Sequence, residues 1–183
     1  DIVIASYKPG DGEKLGVAYE QLITINQQLI YGQITGYGSN DPRVGYDAVV
    51  QAEAGFMFMN GELGGNSLKM PVALIDILAG HQLKEGLLIA LLNKERSGKG
   101  CLVEVSLIQT AIASLANQAS NYLVAGKVPQ KQGSAHPNIA PYQTFAVADG
   151  HLIVAVGNDQ QFSRFCTVLG VVELAADPRF STN

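Results

Sequence analysis

The sequence predicts an α/β fold: part of an open parallel sheet with its helices, followed by a smaller α+β domain. Three observations predict it. Residues 2–7 and 29–35 are short apolar runs on either side of a helix-compatible stretch at 13–27. Strand, helix and strand at that distance make a βαβ unit, whose crossover is right-handed. Residues 75–97 carry the strongest helical pattern in the chain. After residue 128 the apolar period shifts towards alternation, which places a domain boundary between 1–127 and 128–183.

Each element has its own signals. The first strand is broken by Lys8-Pro9-Gly10-Asp11-Gly12, and the second by residues 36–42, rich in Gly, Ser, Asn and Asp and closing on Pro42. Residues 46–58 read as a helix, followed by a loose Gly-rich stretch at 60–67. In the helix at 75–97, Leu78, Ala79, Leu83, Leu87, Ala90 and Leu91 recur at three and four residues and share a face. Lys94 and Arg96 suit its negative end, and Gly98 supplies a left-handed stop. A strand at 101–107 precedes a helix at 108–125, with Ile108, Ile112, Leu115, Ala119 and Tyr122 as its buried face and Gly126 as its end. A loop rich in Gly, Pro, Gln and Asn spans 128–141. Residues 142–147 and 152–156, joined at Asp149-Gly150, read as a β-hairpin, and 160–169 as a helix closed by Gly170.

Composition excludes several classes of function. The chain has 183 residues, 47% of them hydrophobic and 15% charged, so it can bury a core and is not disordered. Its formal charge is −4 and it holds no basic run of five, which argues against a nucleic-acid partner. The apolar run 87–92 is far short of a membrane span, and no signal-peptide pattern is present, so no membrane partner is expected. Cys101 and Cys166 lie far apart without metal-ligand spacing, as do His81, His136 and His151, so no metal site is expected. His81 falls in the apolar helix and reads as a hydrogen-bonded core residue, and His151, after a turn, as solvated. The chain opens on a strand pattern without Met and stops at DPRFSTN without a closing element, which reads as a piece of a longer protein.

Familiar catalytic loops fail. Gly36-Tyr37-Gly38 lacks the third glycine of a dinucleotide fingerprint, Ser97-Gly98-Lys99-Gly100 ends a helix instead of opening one, and no Gly-x-Ser-x-Gly elbow exists. What remains is Asp76, an ionisable group inside the apolar run 72–80. Two readings fit it. One is a helix N-cap. The other is a nucleophilic carboxylate at a helix start, kept ionised by the positive helix end despite desolvation, beside amides able to stabilise an oxyanion. Gly80 and Gly86 in the same helix, and Gly64-Gly65 before it, suggest a packing or access requirement.

Five segments in order carry a family resemblance: DIVIASYKPG at 1–10, LIYGQITGYG at 29–38, GYDAVVQA at 45–52, SGKG with VEVSL at 97–107, and GSAHPNIAPY at 133–142. The sequence resembles the class III CoA-transferases of the CaiB/BaiF type, which include formyl-CoA:oxalate and carnitine CoA-transferases and α-methylacyl-CoA racemases. Residues 116–123, 135–143 and 156–162 look most like the dicarboxylate branch, such as succinyl-CoA:glutarate CoA-transferase. The resemblance implies an open Rossmann-like CoA-binding domain in an interlocked homodimer. It places the catalytic aspartate on Asp76. That carboxylate would attack the thioester of a donor acyl-CoA to give a mixed anhydride. The released thiolate would form an aspartyl-CoA thioester, which an acceptor acid converts to product. CoA thioester is then the substrate and no bound cofactor is needed.

The same resemblance places Ser6 and Tyr7 on CoA-contacting positions, and Lys14 on a basic residue near the CoA phosphates. Val44 falls where a relative has a CoA-contacting Lys, for which neighbouring Arg43 is the candidate substitute. Residues 133–141, with Gly133, His136, Pro137 and Asn138, match a loop that covers the site and would exclude water. Arg43 and His136 are the candidates for recognising a second carboxylate. Tyr46, 30 residues before Asp76, matches an active-site tyrosine of the transferases where racemases carry a histidine. A phenol with a pKa near ~10 is poorly suited to that acid/base role. The reading is therefore a CoA-transferase acting on a dicarboxylate, with a 2-methylacyl-CoA racemase and a non-catalytic acyl-CoA-binding module as alternatives. The expected location is cytoplasmic, or mitochondrial or peroxisomal in a eukaryote.

Overall fold

A computed structural model describes residues 1–180, so the last three residues of the expected 128–183 domain lie outside the described residues. Three strands, β1 (Ile2–Ala5), β2 (Ile30–Thr35) and β3 (Cys101–Ser106), form a parallel sheet in that order. Ile30 pairs with Ile2 on one side and Cys101 on the other. The central strand β2 is covered on both faces, which explains its unbroken apolar opening. Ile30 packs beneath α5 (Leu74–Ser97) with Leu83, Leu87 and Ala90. Tyr31 points the other way, with Ala5 and Leu29 against Tyr19, Leu22 and Ile23. Its hydroxyl donates to the Val17 carbonyl at 2.9 Å. Full burial of a side chain such as Ile30 contributes about 1.5–3 kcal/mol.

Three expected helices are each two. Residues 13–27 fold as α1 (Asp11–Leu15) and α2 (Tyr19–Ile25), because Gly16 turns left-handed at φ 73°. Residues 46–58 fold as α3 (Asp47–Glu53) and α4 (Phe56–Met59), divided at Gly55 with φ 86°. Residues 108–125 fold as α6 (Leu107–Ala113) and α7 (Asn117–Ala125), divided at Ala116 with φ 50°. A left-handed residue ends the hydrogen-bond ladder while leaving the apolar spacing nearly in phase, so periodicity alone reads across it. The buried face of 108–125 is corrected with it. Leu107, Thr110 and Ala111 are buried, whereas Ile112 and Tyr122 are exposed.

The long helix α5 ends at Gly98 in the left-handed conformation, as its sequence signals indicate. Its buried line is Ile75, Ala79, Leu83, Leu87 and Ala90, while Leu78 is half-buried and Leu91 exposed. His81 is exposed, its Nδ1 3.3 Å from Lys84 Nζ, and is not the core histidine the apolar run suggested. Gly86 serves packing: a Cβ there would come within 2.6 Å of Val103 Cγ1.

The chain separates into two compact units, Asp1–Phe58 with Ser67–Pro129, and Met59–Asn66 with the described residues from Gln130 on. The sequence placed the boundary after residue 127 and left 59–66 in the first part. In the structure that segment joins the second unit, where Gly133 N donates to Gly61 O at 3.0 Å. The second unit holds an antiparallel hairpin of β4 (Tyr142–Val147) and β5 (Gly150–Ala155). Val147 pairs with Gly150, so its two-residue loop is Ala148-Asp149, one residue earlier than expected. Helix α8 (Asp159–Leu169) is capped by Asn158, whose side chain accepts from Gln161 N at 2.9 Å. Two short 3₁₀ turns, Val172–Ala176 and Pro178–Phe180, follow. Among the described residues no helix is long and apolar enough to cross a membrane.

Candidate active site

The carboxyl ends of parallel strands are where open α/β sheets hold ligands, because the chain turns away there and leaves a crevice. Here Ser6, Tyr7, Lys8 and Pro9 follow β1, Thr35 and Gly36 close β2, and Leu107 follows β3. These residues, with Ile34, Arg43, Val44, Gly45 and Asp76, line a cleft of about 330 Å³. Two glycines permit its floor. A Cβ on Gly36 would lie 2.5 Å from Gly45 N, so the two backbones cross at a distance that admits no side chain.

Asp76 is the third residue of α5. The N-cap reading is corrected: Ala73 occupies that position and offers no side-chain bond. The cap comes instead from α3, where Asp47 Oδ2 accepts from Ile75 N at 3.2 Å. Asp76 is thus released to the cleft, exposed on this chain alone. Its carboxyl is pushed above the usual Asp range, first by loss of water and second by the negative charge of Asp47.

Of the other residues singled out in the sequence, Ser6, Tyr7 and Arg43 line this cleft, as does Val44. Arg43 is not a free cation. Asp41 binds it in a fork, at 3.1 Å from Nε and 2.8 Å from NH2, and Glu53 stands 3.7 Å away. Its guanidinium stacks 3.7 Å above the Tyr37 ring. Tyr46 immediately precedes α3, is 67% exposed, and is not among the cleft-lining residues. Lys14 is exposed on α1 and paired with Asp11 at 3.1 Å. Gly133, His136, Pro137 and Asn138 belong to the second unit. There His136 packs on Tyr142 with ring centres 5.2 Å apart, and its Nδ1 accepts from Asn138 N at 3.1 Å. Gly133 is left-handed at φ 58°, and a Cβ on it would meet Glu62 Oε2 at 2.7 Å.

Sequence reasoning missed one cleft residue, Lys8, and two residues outside the cleft lining, Asp47 and Gln51. Lys8 stands between Tyr7 and Pro9 on the cleft wall and forms no ion pair among the described residues. Asp47 and its partner Gln51 sit within a quoted motif, but nothing in their spacing reveals which amides they reach. No group of three or more His, Cys, Asp or Glu side chains among the described residues is placed to hold a metal ion.

The profile of CoA-transferase family III matches residues 1–183. The chain belongs to this family. It is 44% identical to the succinate–glutarate CoA-transferase of Agrobacterium fabrum, over 100% of this chain and 46% of that one. It is 36% identical to the human succinyl-CoA:glutarate CoA-transferase, over 100% of this chain and 42% of that one. Among solved structures, a CaiB/BaiF family protein from Brucella suis superposes with a TM-score of 0.81 at 46% identity, covering 100% of this chain and 49% of that one. This family III chain therefore spans about half the length of the relatives it matches.

Proposed function

We propose that the protein containing this segment moves CoA from an acyl-CoA thioester to a free dicarboxylic acid, with Asp76 as the nucleophile. The observation that carries the reading is the placement of Asp76: an acid in the first turn of a long helix, facing a cleft at the carboxyl ends of the parallel strands. Relatives that use succinyl-CoA and glutarate supply the substrate class.

The chemistry then runs as follows. An ionised Asp76 oxygen attacks the thioester carbonyl, the C–S bond breaks, and CoA leaves as thiolate. The Asp76 acyl anhydride reacts with that thiolate at the aspartyl carbon, releasing the donor acid and leaving an aspartyl-CoA thioester. The acceptor carboxylate displaces the thiolate to form a second anhydride. The thiolate then attacks the acceptor acyl carbon, giving the new acyl-CoA and restoring the Asp76 carboxylate. The raised pKa makes Asp76 a more basic nucleophile once ionised. Lys8 is the cation best placed for a distal carboxylate or a CoA phosphate, because Arg43 is already neutralised by Asp41 and Glu53.

An interlocked homodimer belongs to the same proposal. The exposed apolar side chains of Leu88, Ile89 and Leu92 on α5 and of Leu123 and Val124 on α7 are surface that such an assembly would bury. The deciding experiment treats the full-length protein with succinyl-CoA, quenches with hydroxylamine and maps the product by mass spectrometry. A hydroxamate on Asp76 is the expected result. Transfer activity without any adduct there would overturn the mechanism.

A further inference from the structure

Gln51 is 1% exposed and uses its whole amide. Its Nε2 donates to Asp47 Oδ1 and Oδ2 at 2.7 and 3.2 Å, and lies 3.4 Å from the Val72 carbonyl. Its Oε1 accepts from Met70 N at 2.8 Å. Asp47 Oδ2 then accepts from Ile75 N, the residue before Asp76. One turn of α3 thus holds the backbone at residues 70, 72 and 75, the approach to the cleft acid. A buried amide is costly unless bonded, and a fully bonded one fixes a single arrangement.

We propose that the Asp47–Gln51 pair is the positioning device for Asp76. Gln51 orients the Asp47 carboxylate and ties down residues 70–72, and Asp47 caps the first turn of α5 and so sets where the cleft carboxylate stands. The inference rests on the reading of Asp76 as nucleophile. Asp47 has a second effect, since its charge favours the protonated form of its neighbour. The other titratable groups of the cleft are Tyr7 and Lys8 after β1 and Arg43 before α3; the β2 end and Leu107 contribute none.

Two near-isosteric substitutions in the full-length enzyme separate placement from bulk structure. Asp47→Asn keeps an oxygen for Ile75 N but removes the charge, so the acid limb of the kcat/KM profile for succinyl-CoA should move to lower pH. Gln51→Glu loses both donors and adds a charge beside Asp47, so that limb should move to higher pH. Positioning also predicts that kcat falls about 10- to 100-fold in Gln51→Glu while KM for succinyl-CoA stays within about twofold. A scaffold role alone would lower thermal stability and leave both limbs in place. Unshifted limbs with kcat within about twofold of the parent overturn the proposal. Full transfer activity in Asp76→Ala would instead remove the reading on which it rests.

Discussion

The cleft at the end of the parallel sheet and the stretch 133–138 of the second unit are built in opposite ways. The cleft gathers Tyr7, Arg43 and Asp76 from three separate segments, and the first turn of the Asp76 helix is capped at Ile75 N by Asp47, 28 residues away. The second stretch takes several of its bonds from neighbours: His136 N donates to Tyr142 O, Asn138 N to His136 Nδ1, and Thr144 N to Ser134 Oγ, while Gly133 N reaches back to Gly61 O. Charge placement in the first depends on the packing of whole elements. In the second it depends on one loop, the strand that follows it and the bond to Gly61. An acid whose ionisation is shifted by lost solvation and by a second acid belongs in the first kind of region, because only a rigid frame holds two carboxylates near each other.

Substitutions can break that contrast. The largest effect is expected from Asp76→Ala, which should cut transfer by about 1,000-fold or more while leaving thermal unfolding nearly unchanged, since the side chain is exposed. Steady-state kinetics and calorimetry check both halves. Gly45→Ala should destabilise the first unit by about 1–3 kcal/mol, because the new methyl meets the Gly36 backbone. Hydrogen exchange should show the loss in β2 and the cleft, with β4 and β5 protected as before. Gly133→Ala asks a left-handed residue to carry a Cβ against the Glu62 carboxylate. It should cost about 1 kcal/mol, confined to the second unit by the same measurement. Asn158→Ala removes the cap of α8 and should cost about 1 kcal/mol or less in urea unfolding, without altering the acid limb of the pH profile.

The legible parts of the fold are those governed by short-range rules. The βαβ opening, the stop of α5 at Gly98 and the closure of α8 at Gly170 follow from apolar runs and glycine placement. Asp76 was legible as an anomaly, a charge in an apolar run, and the family motifs pointed to the same residue. The three helix breaks were not, since Gly16, Gly55 and Ala116 interrupt the backbone without disturbing the apolar period. Nor was the engagement of Arg43: Asp41 is two residues away, but Glu53 and the Tyr37 ring come to it only through folding.

What the sequence by itself determined is local: which runs become strand or helix, where glycines end them, and which single acid stands out of place, because these depend on neighbours within a turn or two. Only the tertiary structure decided that Asp76 is not its own helix's cap, that Asp47 takes that task with Gln51 bonded to its carboxylate, and that the guanidinium of Arg43 is engaged by Asp41 and Glu53. Those outcomes depend on distances between segments far apart in the chain, and electrostatic and hydrogen-bond energies are set by such distances.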